Sequence, residues 1–469
     1  MKKRCLFSFY VVLVVFCVFI PMQIAAENPK YKDASVHDPS IIEVDNHYYI
    51  IGSHAAFAKS SDLISWTQIS TNVNNSKLFE NIKEQLAEDF EFAKTDTLWA
   101  SDIIQLKNGK YYLYYCLCEG SSPLSVLGVA VSDNIEGPYE KIESFLYSGT
   151  ETQFGQTYDA TKHPNVIDPH VFYDNDGKLW MVYGSYSGGI FILEMDEDTG
   201  LPIDRNTYGT HLGGGNHSRI EGPYIQYNKD TGYYYLFTSF GGLDTKGGYN
   251  IRVARSKNPD GPYEDMEGTL FSDVKGKYNT LFDDASIQDF GVKIIGNFAF
   301  DEKPNKNNGY VSPGHNSTLY HKDLNAYFLI FHTRFPQAGE LHEVRVHQLH
   351  FLSNGWPVVS PTRYSGKLAE SIDAKLLNGK YKAIIMDKLI VDNITLPKHI
   401  EIDNEIINGD VEGEIIKREG NEVNITLENG KEYSGLVFAE WDDLQQKEVI
   451  NFSGLSQEGE PIYLIKVEE

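Results

Sequence analysis

Asp168-Pro169-His170-Val171-Phe172, then Asn175-Asp176-Gly177, then Leu179-Trp180-Met181, reads as one strand-turn-strand unit. A short polar motif opens an apolar strand, a Gly-containing turn reverses the chain, and a second apolar strand returns. The unit occurs four more times. Asp38-Pro39-Ser40-Ile41-Ile42 turns at Asp45-Asn46 into Tyr48-Tyr49-Ile50-Ile51. Trp99-Ala100-Ser101-Asp102-Ile103-Ile104 turns at Asn108-Gly109 into Tyr111-Tyr112-Leu113. Glu221-Gly222-Pro223-Tyr224-Ile225 turns at Asp230-Thr231-Gly232 into Tyr233-Tyr234-Tyr235. His315-Asn316-Ser317-Thr318-Leu319 turns near Asp323-Leu324-Asn325 into Tyr327-Phe328-Leu329.

Helical periodicity is scarce, and residues 77–92 are the best helical candidate. Further strands fit at 127–132, 189–195 and 250–256. Five similar units in an all-β chain predict a radial repeat, a five-bladed β-propeller with four strands per blade. Uneven spacing between units predicts long loops capping the blades.

Aligning the units on Ser40, Asp102, His170, Pro223 and Ser317 exposes a column two residues earlier. It reads Asp38, Ala100, Asp168, Glu221, His315. The innermost strand of each propeller blade starts beside the central channel, so this column brings distant residues together. Any one of them alone reads as an ordinary turn-initiating polar residue. Three carboxylates and a histidine in one column predict a functional site.

Bulk properties narrow the partners. A chain of 469 residues calls for two or three units. Hydrophobic residues at 41% and charged residues at 23% are ordinary for a folded protein. A formal net charge of −25 argues against nucleic acid and against polyanionic glycans. A neutral polysaccharide is indifferent to that charge. Lys2-Lys3-Arg4, an apolar run from Cys5 to Ile20, and Ile24-Ala25-Ala26 read as a cleaved export signal over residues 1–26. A membrane anchor is the alternative, but the run is short for spanning. Secretion, no stable membrane association after cleavage, and a monomer are therefore expected. Beyond that segment only Cys116 and Cys118 remain. They alternate along one strand, a poor geometry for a disulfide, so buried free thiols are expected.

The tail alternates apolar and polar residues in short strands, for example at 384–386, 415–417, 423–427 and 463–467. This predicts a small β-barrel or sandwich over residues 373–469, after a propeller over 27–372.

Six motifs carry a family resemblance: Val36-His37-Asp38-Pro39-Ser40, Leu98-Trp99-Ala100-Ser101-Asp102, Asn165-Val166-Ile167-Asp168-Pro169, Gly184-Ser185-Tyr186-Ser187-Gly188-Gly189, Arg219-Ile220-Glu221-Gly222-Pro223-Tyr224 and Ser312-Pro313-Gly314-His315-Asn316. In this order they resemble glycoside hydrolase family 43, its endo-arabinanase branch in particular, over about residues 30–370. The resemblance extends to two-domain endo-arabinanases of Gram-positive bacteria. It implies inverting, internal hydrolysis of α-1,5-arabinan, with arabinan and its oligosaccharides as substrates. Inversion needs one carboxylic acid and one carboxylate roughly 6.5–9.5 Å apart. The resemblance makes Asp38 the general base and Glu221 the general acid. Asp168, one blade from Glu221, is expected to stay ionised and raise the acid's proton affinity.

The resemblance also implies that His315 helps hold a calcium ion near the channel axis, mostly water-coordinated, since calcium needs several oxygen ligands. Trp99 is the best stacking platform for a sugar, with a core tryptophan as the alternative. His37, Asn165, Val166, Ile167, Ser185, Tyr186 and Ser187 lie beside the site by sequence and resemblance. Gly120 is expected to let a sugar approach the backbone. Two rival readings remain: an exo-acting β-xylosidase or α-L-arabinofuranosidase with the same trio, and a catalytically silent carbohydrate-binding propeller. The intact Asp38, Asp168 and Glu221 column argues against the second.

Overall fold

The computed structural model describes residues 28–152 and 154–467, so the expected export signal falls outside the described residues. Five antiparallel sheets form the blades, four of four strands and the last of five. Their inner strands are Ser40–Val44, Asp102–Gln105, His170–Tyr173, Ile220–Asn228 and Gly309–His321. Each inner strand neighbours the next, and the fifth returns to the first, closing the ring. Hydrophobic cores lie between successive blades. Leu113 and Phe57 share one core, Tyr114 and Met181 another, and Phe328 and Ile50 a third that seals the ring. The helical reading of 77–92 resolves into two short helices, Ile82–Gln85 and Ala87–Phe92, packed on the core between the first two blades.

Polar bonds at the innermost strands stitch every neighbouring pair of blades. Asp102 accepts from the Ser40 hydroxyl of blade one and from the Val171 amide of blade three at 2.7 Å. The His170 ring meets the Ile225 carbonyl at 3.2 Å, and Tyr224 Oη donates to the Thr318 carbonyl at 3.0 Å. Ser317 Oγ donates to the Pro39 carbonyl at 2.8 Å, joining blade five to blade one.

The tail is a barrel, not a sandwich. Eight antiparallel strands run from Gly379–Ile385 to Pro461–Val467 and close where Glu432–Asp442 pairs with Lys447–Ser456. Side chains fill its interior. The Phe452 ring lies so close to Gly435 and Gly454 that a Cβ on either would come within 2.4 and 2.9 Å of it. The barrel packs on blades four and five, sharing one core with Phe237, Phe331, Phe438 and Tyr463. Buried cations secure the seam. Lys293 Nζ donates to the Asp387 carbonyl at 2.8 Å, Arg252 to the Lys388 carbonyl, and Lys388 Nζ to the Asp289 carbonyl at 2.8 Å. Burial pulls the Lys293 pKa down to about 7 and that of Arg252 to about 9. Cys116 and Cys118 are free and buried.

Candidate active site

The column residues converge on the axis. Asp38, Asp168 and His315 border one cavity of about 10 Å³, which also takes Ala100, Pro223 and Asn316, so all five blades contribute. The backbone there is unusual. Asp38 (φ 57), Asp168 (φ 58) and His315 (φ 45) are left-handed, a conformation non-glycine residues adopt mainly where the surroundings enforce it.

Blade four departs from the sequence alignment by one residue. The left-handed position there is Gly222 (φ 57), preceding Pro223 as Asp38 precedes Pro39. A register shift between Glu221 and Tyr224 matches one between Gly314 and Ser317 in blade five. Glu221 therefore sits one step before the column, on a β-bulge, a device that re-aims a side chain.

Asp38 is surrounded by donors. His37 Nδ1 lies 2.8 Å from its Oδ2, His315 Nδ1 3.0 Å from its Oδ1, and Ser53 Oγ donates to Oδ2 at 2.5 Å. The Asp38 amide donates to His332 Nδ1 at 3.1 Å, and His37 stacks on His332 at 4.0 Å between centroids. Burial alone would raise the pKa of Asp38. The positive charges of His315 and His37, and their hydrogen bonds, outweigh burial and hold it well below the usual carboxylate range. The same pairing lifts His315 to about 9 against the opposing effect of burial.

Glu221 has the opposite balance. Ser185 Oγ donates to its Oε2 and Tyr249 Oη to its Oε1, each at 2.8 Å. Burial raises its pKa and overrides those donors and His315, with Asp38 adding to the rise. Asp168 is pushed up to about 8, first by burial and then by the charges of Glu221 and Asp38, against the lowering effect of His315. Its Oδ2 accepts from the Gly222 amide at 3.3 Å. Burial, rather than an ionised Asp168 alone, is thus the first cause of the raised Glu221. The site thus holds Asp38 with its proton affinity lowered and Glu221 and Asp168 with theirs raised, the kind of division that acid-base hydrolysis requires.

Other sequence candidates divide. Ser185 touches Glu221 directly, and Tyr186 Oη donates to the Gly241 carbonyl at 3.2 Å. The Ser187 carbonyl accepts from His217 N at 2.9 Å, and Asn165 Oδ1 accepts from Ser125 Oγ at 2.5 Å. Val166 and Ile167 bury their side chains in the core between blades two and three, so they serve as scaffold and not as side-chain contacts to a sugar. Trp99 is half-buried against that core. Gly120 (φ 87) has a different cause from the one expected: a Cβ there would come within 3.1 Å of the Trp99 ring, so it makes room for the indole. Sequence reasoning missed Ser53, Tyr249 and His332. None belongs to the repeated column, and Tyr249 stands on a loop with no motif of its own.

The axial cavity offers hard-ion chemistry. His315 gives Nδ1 to Asp38, leaving its other nitrogen, as metal-binding histidines commonly do. Both side-chain polar atoms of buried Asn316 lack a partner, and this residue borders the same cavity. About 10 Å³ suits one small ion or one water. His315 and Asn316 are the donors that would hold a calcium ion there.

A closed propeller that gathers buried carboxyls of unequal proton affinity suits acid-base glycoside hydrolysis. The model for glycosyl hydrolases family 43 matches residues 28–357, and the chain belongs to that family. The model for a C-terminal lipocalin-like domain matches residues 361–464. The chain is 52% identical over 458 residues, 97% of each chain, to a Bacillus subtilis (strain 168) protein named extracellular endo-α-(1→5)-L-arabinanase 2. It is 45% identical over 461 residues, 95% of this chain and 96% of the other, to the extracellular endo-α-(1→5)-L-arabinanase of Thermotoga petrophila. The crystal structure of endo-1,5-α-L-arabinanase from that organism superposes with a TM-score of 0.89, covering 94% of this chain and all (100%) of the other.

Proposed function

We propose that this protein is a secreted endo-acting arabinanase that cleaves α-1,5-L-arabinofuranosidic bonds with inversion. The observation that carries this is full-length identity of 52% and 45% to two proteins so named, together with the split protonation of Asp38 and Glu221. Both relatives are named extracellular, which agrees with the basic start and apolar run of residues 1–26.

Glu221 donates its proton to the glycosidic oxygen as the bond to the anomeric carbon breaks. Asp38 takes a proton from a water attacking that carbon from the opposite face. The product's new hemiacetal has the inverted configuration. Asp168 is a positioning residue: it holds the Gly222 amide next to the acid and keeps a proton in the pair. A calcium ion held by His315 and Asn316 would fix His315, the partner of Asp38, and add positive charge to the site. Chelator treatment should then lower the melting temperature and added calcium restore it; an unmoved melting curve would remove the ion from the scheme.

Early-time product analysis on debranched arabinan tests the main reading. A ladder of oligosaccharides is expected, with proton NMR showing inversion at the new reducing end. Arabinose alone from the first minutes would make the enzyme exo-acting, and absence of cleavage would overturn the reading.

A further inference from the structure

Between the third and fourth strands of blade four the chain makes a long excursion, residues 257–291, that reaches the site. Its tip carries three exposed large apolar side chains within five residues: Tyr278 (66% exposed), Leu281 (68%) and Phe282 (52%). Such a cluster is costly in water unless it meets something.

The tip is fixed. The Gly276 amide donates to the Gly215 carbonyl at 3.2 Å, and Asn216 Nδ2 to the Gly276 carbonyl at 2.8 Å. The Lys277 amide donates to Asp283 Oδ2 at 3.0 Å, and Phe282 N to the His217 carbonyl at 3.3 Å. Asp284 forms a bidentate pair with Arg219, two residues before the acid. Phe282 itself is left-handed (φ 58), an unfavourable conformation for a bulky residue, which these anchors enforce.

The tip is also continuous with the catalytic centre. The Phe282 ring packs edge-on against Tyr186 at 5.7 Å between centroids. Tyr186 adjoins Ser185, which donates to Glu221. The apolar cluster thus lies on the acid's side of the site. In an inverting reaction the leaving part of the chain departs on that side, opposite the attacking water.

We infer that Tyr278, Leu281 and Phe282 form a remote binding platform for the leaving-group stretch of the polysaccharide. The C–H faces of furanosyl units several residues from the cleaved bond would stack on Phe282 and Tyr278. This rests on the arabinanase reading above. A platform away from the cleaved bond favours attack within a chain over attack at its end.

The test compares wild type with the Phe282→Ala/Tyr278→Ala double variant on arabino-oligosaccharides of graded length and on linear arabinan. The loss in kcat/KM is expected to grow with length, reaching about tenfold on polymer, and to appear mainly in KM. Both residues are exposed, so melting temperature should be retained; Leu281→Ser serves as a second variant if it is not. Equal loss at every length would make the tip a brace for Tyr186 and overturn the platform. No loss on polymer would overturn it too, as would a wild-type dimer that the double variant dissociates. Wild type failing to cleave any arabinan would instead sink the reading on which the platform rests.

Discussion

Asp38 and Glu221 differ in what surrounds them more than in what they are. Histidine charges and three donors lower the proton affinity of Asp38, while burial raises that of Glu221. Replacing either with Ala should cost about 10²–10⁴-fold in rate. Aryl arabinosides with good leaving groups should partly rescue Glu221→Ala and not Asp38→Ala; equal rescue would contradict the assigned roles. Two neighbours of Glu221 should move its titration in opposite directions. Asp168→Asn leaves Glu221 as the lone titrating carboxyl of the pair; at alkaline pH, where both would ionise, the lost negative neighbour eases ionisation of Glu221, so the alkaline limb of the pH–rate profile should shift to lower pH. Tyr249→Phe removes a donor that stabilises the carboxylate, so that limb should shift to higher pH. Shifts in the same direction in both variants would mean that the limb does not report Glu221. The column Asp38, Asp168, His315 was legible in sequence because repetition marks it. Tyr249 was not, since a loop residue that reaches the site from another strand leaves no periodic trace.

The inner strands are held by their cores and by the bonds between blades. Asp102 joins three blades, accepting from Ser40 and Val171, and it is buried. Asp102→Ala should orphan both donors, at about 1–3 kcal/mol each. Thermal melting and urea titration should show a marked loss of stability, and an unchanged denaturation midpoint would mean that water replaces the carboxylate. Sequence located these strands because apolar alternation and turn residues survive in every blade. It misplaced Glu221 by one step because a bulge adds a residue without disturbing the apolar pattern that an alignment follows. It also left the tail open between barrel and sandwich, since the closing pair of strands, Glu432–Asp442 with Lys447–Ser456, carries the same alternation either way.

Propeller and barrel share one core and a row of buried cations, so they should unfold together. Calorimetry on the whole chain should give a single transition, and a propeller ending at residue 372 should expose Phe237 and Phe331 and strand Lys293 without its Asp387 and Leu389 acceptors. Two resolved transitions would show that the seam is weaker than its contacts suggest. The barrel segment after Lys388 also reaches the catalytic half. Ile390 enters the core between blades three and four, and Val391 presses on Gly248 beside Tyr249. No sequence motif announced this seam, because contact between distant segments is not a local property. The two buried thiols have a consequence of another kind. With Cys116 and Cys118 unlinked and no other cysteine beyond residue 26, the fold draws none of its stability from disulfide bonds. A reducing environment therefore has no cross-link here to break.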